Sequence, residues 1–225
     1  TSWPFDTALA TPPSGSPDAL ILVSPGNRQD VFSRQSFSTF TNSASPSLRG
    51  AVLDVGGLSI RFKDGNVWQF DSLGRIQSQS DRNGNTIQIS RDLQGRVIRI
   101  TEPAGRVLTV AYAGTSTAIQ SITDPIGRRV RYTYDAAGRL ETVTDPAGGV
   151  TRYAYDSANR MLTLTDPRGI IFLTNEYDAG GRVVRQTQAD GGVWTFAYTS
   201  TGSYISQTVV TNPLGQATTY RFNVA

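Results

Sequence analysis

A motif that returns about every 21 residues is the feature that most constrains the fold of this chain. One acidic residue per copy marks the period, at positions 81, 102, 124, 145 and 166, with steps of 21, 22, 21 and 21 residues. Including degenerate copies, roughly seven repeats occupy residues 67–225. A unit this short cannot bury a hydrophobic face alone, so neighbouring copies have to stack on one another. The sequence therefore predicts a repeat protein.

Each repeat contains two turns, and the first of them runs from Asp to Gly-Arg. In "YTYDAAGR", Tyr132–Arg139, the Asp can accept hydrogen bonds from nearby backbone amides, and the Gly suits a left-handed position. Asn159 replaces this Gly in the next copy, and Asn also tolerates the left-handed conformation. We therefore predict structural roles for the first-turn residues, which are Asp71, Gly74, Arg75, Asp92, Gly95, Arg96, Asp135, Gly138, Arg139, Asp156, Asn159, Arg160, Asp178, Gly181 and Arg182.

The second turn of each repeat carries Asp-Pro followed by Gly. In "DPAG", Asp145–Gly148, the Pro fits the turn position that needs its fixed φ angle, and the Gly follows two residues later. We predict structural roles for the second-turn residues too, which are Asp124, Gly127, Asp145, Gly148, Asp166 and Gly169.

The stretches between the turns have the pattern of β-strands. In "RYTY", Arg131–Tyr134, the two tyrosines fall on one face of a strand. Leu140 and Val143 are three residues apart and would face opposite sides of a flat strand, so we expect a bulge or burial on both faces. Short connections make consecutive strands antiparallel neighbours. The predicted fold is all-β, a long antiparallel β-meander of about seven 21-residue, two-strand repeats that forms a ribbon or spiral.

The N-terminal part of the chain differs in composition from the repeats. Residues 1–50 are rich in Pro, Gly and Ser around an apolar island, Ala19–Val23, and are predicted to form an irregular cap. Residues 51–225 are predicted to form the repeat array. The start of the chain lacks the basic region of a signal peptide and an initiator Met, so we expect a trimmed piece whose targeting segment is absent from this sequence.

Residues that the sequence lacks exclude several functional classes. There is no His and no Cys, which excludes disulfides, Cys nucleophiles, His-based acid–base catalysis and zinc sites built from these residues. The net charge is only +3 and the arginines recur at regular intervals, so we expect no nucleic acid partner. No run approaches the roughly 20 apolar residues of a membrane helix, so no membrane span is expected.

The sequence "YTYDAAGRLETVTDPAGGVTRYAYD", Tyr132–Asp156, closely resembles the YD repeat of the RHS (rearrangement hot spot) family, and the resemblance extends over about residues 57–222. Members are very large secreted or cell-surface proteins, among them bacterial polymorphic toxins, the cocoon-forming subunits of insecticidal toxin complexes and animal teneurins. The resemblance implies a spiralling β-sheet shell that encloses a toxin domain or its own interior. It also implies that the partners are the remaining segments of a parent RHS protein or other copies of the chain, secreted from a bacterial cell or held on its surface.

Many bacterial members of this family end their array in a core segment with a self-cleaving aspartate, which begins with a DPxGL-type motif. The sequence Asn212-Pro213-Leu214-Gly215 has a different order and resembles an ordinary second turn. The resemblance therefore transfers no catalytic residue to this chain.

The repeated carboxylates are the feature most similar to an enzyme site. Asp124, Asp145 and Asp166 could form acid–base pairs, but their equal spacing favours equivalent turns over one privileged pair. The sequence "DRNGN", residues 81–85, is similar to the start of a calcium loop, yet its Gly comes one position early and no Glu stands at the twelfth position. We therefore expect no enzyme activity, no cofactor and no metal.

The arginines and aromatic residues of the repeats could bind ligands or hold the array together. For the arginines after the turn glycines, we favour pairing with Asp or Tyr of a neighbouring strand over phosphate binding. For the aromatic ladder, we favour cross-strand packing over stacking on sugars. The predicted function is a structural segment of a secreted RHS shell or scaffold, which encloses cargo or self-assembles through its sheet edges. The alternative is an extracellular module that binds a carbohydrate or a receptor. The ladder consists of Phe70, Tyr134, Tyr155, Tyr177 and Tyr198.

Overall fold

The computed structural model describes residues 7–11, 18–25 and 27–223, and these residues form 21 strands and no helix. This confirms the all-β prediction. The described residues therefore contain no helix that is long and apolar enough to cross a membrane. The chain divides into two compact units, one made of the residues up to Ala111 with Thr123–Gly127, the other of Tyr112–Ile122 with the residues from Arg128 onwards.

The first unit contains the strands β1–β10 and all but the last residue of β11, which follow one another as an antiparallel meander. Four of them, β1–β4, lie in the segment predicted to be an irregular cap, and its boundary at residue 50 stays a prediction. The bounds of β1–β11 are Ala8–Ala10, Ala19–Ser24, Arg28–Arg34, Thr39–Thr41, Val52–Asp54, Ser59–Arg61, Val67–Phe70, Ile76–Ser80, Thr86–Arg91, Val97–Thr101 and Val107–Tyr112.

The first unit curls so that β1 returns to the start of β8. The backbone N–H of Leu9 donates to the carbonyl of Gly74 at 2.7 Å, and the N–H of Ile76 donates to the carbonyl of Thr7 at 3.1 Å. β1 therefore pairs with β2 on one side and with the β7–β8 turn on the other. Removal of apolar side chains from water stabilises this unit. Its buried core consists of Leu22, Phe32, Phe40, Leu48, Ala51, Leu53, Ile60, Phe70, Ile76, Ile89 and Val97.

The second unit contains most of β12 and all of β13–β21, and from β13 onwards each strand pairs with the next in antiparallel direction. Of the described residues in this unit, only Ser121 and Asn175 are buried. The bounds of β12–β21 are Ile119–Thr123, Arg129–Tyr134, Leu140–Thr144, Val150–Tyr155, Met161–Thr165, Ile171–Tyr177, Val183–Gln188, Val193–Thr201, Tyr204–Thr211 and Ala217–Arg221.

The strand register gives the second unit two chemically different faces. Tyr132 lies opposite Val143, and Tyr153 lies opposite Leu164, so apolar and aromatic side chains share one face. Threonine and arginine dominate the opposite face, as where Thr142 pairs with Arg152. This alternation is usual for antiparallel sheets that expose one face to water.

Both turns of each repeat have the same backbone conformation. In the first turn, the N–H of Gly138 donates to the carbonyl of Asp135, and the N–H of Asp135 donates to the carbonyl of Arg139, both at 2.9 Å. The second turn repeats these two bonds between Asp145, Gly148 and Gly149, at 3.1 and 2.9 Å. The φ angles of Gly138 and Gly148 are 78° and 90°, so each turn places its glycine in the left-handed region.

A bulge follows each first turn on the outgoing strand. Thr133 pairs with Thr142 and Tyr134 pairs with Leu140, which leaves Glu141 without an opposite residue. The same shift recurs opposite Tyr155 and Tyr177. The extra residue turns Leu140 to the same side as Val143, which confirms the predicted bulge.

Candidate functional site

The first-turn aspartates are bound within their own turns. The carboxylate of Asp135 accepts hydrogen bonds from the backbone N–H groups of Ala137 and Arg139, both at 2.9 Å. The side chain of Arg139 donates its Nε–H to the other carboxylate oxygen at 2.7 Å. The backbone and side chain of one arginine thus hold both carboxylate oxygens, an arrangement that fixes the turn.

The same ion pair forms in the other first turns, always between residues four apart. The sequence favoured an Asp or Tyr partner on a neighbouring strand for each arginine. The Asp partner instead lies in the same turn as the arginine. An Asp and an Arg four residues apart can pair because the residue before the Arg has a left-handed conformation, which brings the Arg backbone beside the Asp carboxylate. The equivalent pairs are Asp71–Arg75, Asp92–Arg96, Asp156–Arg160 and Asp178–Arg182.

The arginine also covers the tyrosine of the next repeat. The guanidinium carbon of Arg139 lies 4.9 Å from the centre of the Tyr155 ring, and the hydroxyl of Tyr155 donates to the carbonyl of Leu140 at 2.8 Å. We call this three-residue arrangement the inter-repeat clamp. It joins one repeat to the next by a cation–π contact and a hydrogen bond.

The inter-repeat clamp recurs in the two following repeats. Arg160 lies 4.7 Å from the ring centre of Tyr177, whose hydroxyl donates to Met161 at 2.7 Å. Arg182 and Tyr198 repeat the contact at 4.9 Å, with a 2.7 Å bond from Tyr198 to Val183. The tyrosines predicted as a ladder therefore do contact arginines of a neighbouring repeat.

Arg139 makes two further contacts across the repeat boundary. Its Nη1 donates to the carbonyl of Asp156 at 2.9 Å and to the side-chain oxygen of Asn159 at 3.0 Å. Asn159 has a φ angle of 63°, so its side chain binds the previous repeat while its backbone takes the left-handed conformation. One arginine thus links two successive first turns.

Hydrogen bonds lower the pKa values of the first-turn aspartates that pair with the clamp arginines. The backbone N–H of Arg139 is the largest influence on Asp135 and lowers the pKa of that carboxyl, with a further lowering from the Arg139 side chain. The pKa values of Asp156 and Asp178 are lowered for the same reasons by Arg160 and Arg182. These carboxylates are held in the ionised form.

Partial burial raises the pKa of the clamp tyrosine Tyr155 above its ordinary value. The pKa values of Tyr134 and Tyr198 are raised by the same cause. The hydroxyl of Tyr134 also donates to the carbonyl of Ile119 at 3.0 Å, as in the other repeats. These hydroxyls are therefore kept protonated as hydrogen-bond donors.

The second-turn carboxylates are also occupied by their own backbone. Asp145 accepts from Ala147 and Gly149, both at 2.8 Å, and Asp166 accepts from Ile170 at 2.9 Å. Asp124 accepts from Ile126 at 3.0 Å. Within the described ranges, no group of three or more acidic side chains lies close enough together to hold a metal ion.

The "DRNGN" segment has the same turn geometry as the other repeats. Asp81 accepts from the backbone N–H of Asn83 at 2.8 Å and from the backbone and side chain of Asn85 at 2.9 and 2.7 Å. The Asn85 side chain lowers the pKa of the Asp81 carboxyl. The arrangement is that of a capped turn in which Asn85 takes the place of arginine.

A sequence family described as RHS Repeat matches residues 70–107, 118–150 and 141–171. These stretches of the chain are RHS repeats. No curated protein sequence matches the chain significantly. The first clamp described above, from Arg139 to Tyr155, lies within the RHS repeats.

The RHS fold of the chain is also found in solved structures. A crystal structure of TcdB2-TccC3 without its hypervariable C-terminal region matches with a TM-score of 0.52 and 13% identity, over 97% of this chain and 15% of that chain. A crystal structure of TcdB2-TccC3-Cdc42 matches with a TM-score of 0.49 and 14% identity, over 94% of this chain and 14% of that one. The present chain thus spans about one seventh of the length of these proteins, and the first match supports a shell-like RHS fold.

One RHS repeat has Arg91 where later repeats have the clamp tyrosine. Its Nη1 donates to the carbonyl of Gly95 at 3.1 Å, and its Nη2 lies 3.5 Å from the carbonyl of Ile76. Ile76 follows Arg75 as Leu140 follows Arg139, so the guanidinium reaches the acceptor that a tyrosine hydroxyl would use. The sequence reveals the substitution, since Arg91-Asp92 replaces Tyr-Asp, but it does not reveal this contact.

The first RHS turn has a contact that sequence reasoning missed. A Cβ atom at Gly74 would lie 2.7 Å from the carbonyl oxygen of Leu9, because β1 packs directly against this turn. Gly138, at the same place in a later repeat, has no other atom within 4 Å of such a Cβ. The sequence gives both glycines the same role, and only the return of β1 makes Gly74 different.

Proposed function

We propose that this chain is a structural segment of an RHS shell or scaffold, whose role is to build and extend a β-sheet wall. The observation that carries this proposal is the repetition of one inter-repeat clamp at Arg139–Tyr155, Arg160–Tyr177 and Arg182–Tyr198. Polar groups that could act on a ligand are used to join repeats. A non-enzymatic role outside the cell agrees with this chemistry and with the RHS family.

The two ends of the described meander differ in their capacity to accept another strand. β1 is covered on both sides, by β2 and by the β7–β8 turn, so no further strand can add there without displacing a contact. β21 pairs with β20, and all five of its residues are exposed. We therefore assign the growing edge of the wall to β21.

The register of β21 identifies the backbone groups that would receive a partner. The N–H of Phe222 donates to the carbonyl of Ser206, and hydrogen-bonded pairs alternate along an antiparallel ladder. Thr219, paired with Val209, is therefore a position whose N–H and carbonyl point away from β20. Unpaired groups of this kind are a template for a further strand. We propose that the partner is another segment of an RHS protein or another copy of this chain.

The sequence expected for the strand that adds to β21 can be inferred from β14, the strand that follows the Tyr-x-Tyr strand β13. β14 lies beside β13, with Val143 opposite Tyr132, and β21 ends in Tyr220-Arg221, which Phe222 follows to give a related sequence. A peptide that copies residues 138–146 should therefore add to β21. Binding is measured by titration calorimetry, with a scrambled peptide as the negative control, and self-association by light scattering over a wide range of chain concentrations.

Substitutions at Thr219 make the test specific to this edge. Thr219→Pro removes the outward N–H and should abolish both peptide binding and self-association. Thr219→Ala removes the side chain but keeps the N–H, and should leave both unchanged. A chain that neither associates nor binds the peptide overturns the proposal, and so does equal binding by the Pro variant.

We do not assign glycan binding to the aromatic ladder. The rings of Tyr155, Tyr177 and Tyr198 each have a guanidinium over one face, and their hydroxyls donate to backbone carbonyls. Phe70 is 2% exposed and belongs to the core of the first unit. These contacts favour packing of the array as the use of the ladder.

A further inference from the structure

A cleft of about 300 Å³ lies in the first unit, and the inter-repeat clamps do not contribute to its lining. Its floor contains Leu22 and Leu48, two buried residues of the hydrophobic core. Its walls come from β2, β3, the β4–β5 connection, the β6–β7 turn and β7. The cleft is thus a concave site between segments that are distant in sequence.

The curl of the first unit explains why a cleft forms at this place. β1 returns to the start of β8, and the core side chains fill the space that the strands surround. The β6–β7 turn and the end of the β2–β3 hairpin both line the cleft, although several strands separate them in the meander. Small molecules commonly bind at such openings of curled or closed sheets, where the interior itself is full.

One wall of the cleft is aromatic. Phe62 and Trp68 pack edge to face, with ring centres 4.9 Å apart and planes at 60°. Both rings are only half-buried, and both line the cleft. The two side chains hold each other in place, so they form a pre-organised apolar surface.

The lining of the cleft also contains an ion pair. The Asp30 side chain is 6% exposed and accepts from Arg28 Nε at 3.0 Å, and Ser45 donates its hydroxyl to the same carboxylate. Arg28 also donates to Ser47 at 3.2 Å. Because a buried carboxylate is costly unless it is paired, these partners offset the burial of Asp30 and hold its side chain in one position. The exposed part of Arg28 keeps further N–H groups available at the cleft.

The β6–β7 turn adds a second carboxylate and an amide. Asp64 accepts from the backbone N–H of Asn66 at 3.0 Å and from its side-chain amide at 2.8 Å. Each carboxylate oxygen has a second lone pair, and the Asn66 carbonyl adds another acceptor. The cleft therefore offers the N–H donors of a guanidinium and the oxygen acceptors of a carboxylate and an amide beside an aromatic surface.

We propose that this cleft binds a monosaccharide unit, with one apolar face of the sugar ring on Trp68 and the hydroxyl groups between Arg28, Asp64 and Asn66. A sugar matches the combination of an apolar face with many hydroxyls that donate and accept. The cleft volume accommodates one such ring. This inference does not depend on the proposed role of the chain as a scaffold.

The test uses the full chain and named probes, D-glucose, D-galactose, D-mannose, N-acetyl-D-glucosamine and choline. Binding is measured by saturation-transfer NMR and titration calorimetry. At least one sugar should bind with a dissociation constant on the order of 1 mM, as expected for a ligand of about a dozen heavy atoms. Choline represents a compact cation, which aromatic rings and carboxylates could also attract.

Two pairs of variants connect binding to the cleft. Trp68→Leu and Asp64→Ala should each weaken sugar binding by about tenfold or more, the effect of losing roughly one good contact. Trp194→Leu removes a half-buried tryptophan of the second unit. Asp190→Ala removes an exposed carboxylate that accepts from the backbone two residues on, as Asp64 does. Both controls should retain binding within about twofold.

Each outcome decides the proposal. Asp64 is exposed, so the Ala variant remains informative if Trp68→Leu lowers the stability of the unit. Absence of binding by all four sugars overturns the proposal. Binding of choline in place of sugars overturns the assigned ligand class, and sugar binding that survives both cleft variants shows that the site lies elsewhere.

Discussion

The hydroxyl of Tyr155 donates to the backbone carbonyl of Leu140 at 2.8 Å, while Arg139, the residue before Leu140, lies over the tyrosine ring. Two adjacent residues of one repeat therefore hold a single side chain of the next. The stability of each repeat depends on its neighbour through this contact, as in other repeat arrays.

Tyr155→Phe should destabilise the second unit by about 1 kcal/mol, because the carbonyl of Leu140 loses its side-chain donor while the ring is kept. Tyr153→Phe is the matched control on the same strand and face, since the described contacts give its hydroxyl no hydrogen bond. Urea denaturation of both variants measures the difference. Equal costs for the two substitutions would contradict the role of the clamp.

Gly74→Ala and Gly138→Ala should differ although both glycines have nearly the same φ, 75° and 78°. Gly138→Ala should cost about 1 kcal/mol, the penalty for a side chain in the left-handed region. Gly74→Ala should cost roughly 2 kcal/mol more, because its Cβ would also meet the carbonyl oxygen of Leu9, which lies 2.7 Å away.

Hydrogen exchange locates the damage caused by the two glycine variants. Gly74→Ala should expose the N–H groups of Leu9 and Ile76, which hold β1 in place. Gly138→Ala should leave both protected. Similar exchange in the two variants would mean that β1 tolerates the added methyl group.

Acid should weaken the second unit through its first-turn aspartates. The pKa values of Asp135, Asp156 and Asp178 are lowered in the folded state, chiefly by backbone hydrogen bonds. A lowered folded pKa gives a stabilisation that is complete above the unfolded pKa of about 4 and is lost as the pH falls through the folded value. Melting temperatures should therefore be flat from neutral to mildly acidic pH and fall below about pH 4.

Asp156→Asn should reduce this acid sensitivity. Asn can cap the same turn, because the side-chain oxygen of Asn212 accepts from Leu214 and Gln216 at 3.0 and 2.9 Å. The variant loses the ion pair with Arg160, so it should melt lower at neutral pH and show a smaller decrease on acidification. A decrease as large as that of the unsubstituted chain would assign the acid effect to other groups.

Arg91→Tyr should stabilise the first unit by about 0.5–1 kcal/mol, since it restores the residue that completes a clamp. The tyrosine hydroxyl would donate to Ile76, and its ring would lie beside Arg75. Arg91→Phe is the control, because it supplies the ring without the hydroxyl and should give a smaller gain. Thermal melting compares the two variants. A loss of stability with Arg91→Tyr would show that the contacts of the Arg91 guanidinium stabilise the unit more than those of the tyrosine.

The sequence was sufficient to predict the period, the strand order, the left-handed Asn159 and the bulge that turns Leu140 towards Val143. These features follow from local spacing and from the conformations that Gly and Asn allow. The clamp was only partly predictable, because the contact of Arg139 with Tyr155 depends on the stagger between adjacent strands. From the sequence, the Asp partner of Arg139 was expected on a neighbouring strand, whereas the structure shows that the partner is Asp135 in the same turn.

The pairing of β1 with the turn at Gly74 and the cleft of the first unit could not be predicted from the sequence. β1 is three residues long, Ala8–Ala10, and has neither an alternating pattern nor a turn motif that would direct it to Gly74. The cleft combines residues from several loops and strands, and Arg28 and Trp68 both line it although they are 40 residues apart in sequence. Such long-range contacts are set by tertiary packing and not by periodicity.

The return of β1 to Gly74 has a mechanical consequence. A strand that is paired on both sides resists peeling, whereas β21 pairs, among residues 7–11, 18–25 and 27–223, with β20 alone. Under a pulling force applied at its ends, the chain should unzip from β21 inwards and release one repeat at a time as each clamp opens. The first unit would then unfold last, and its remaining strands would provide the template on which the repeats refold.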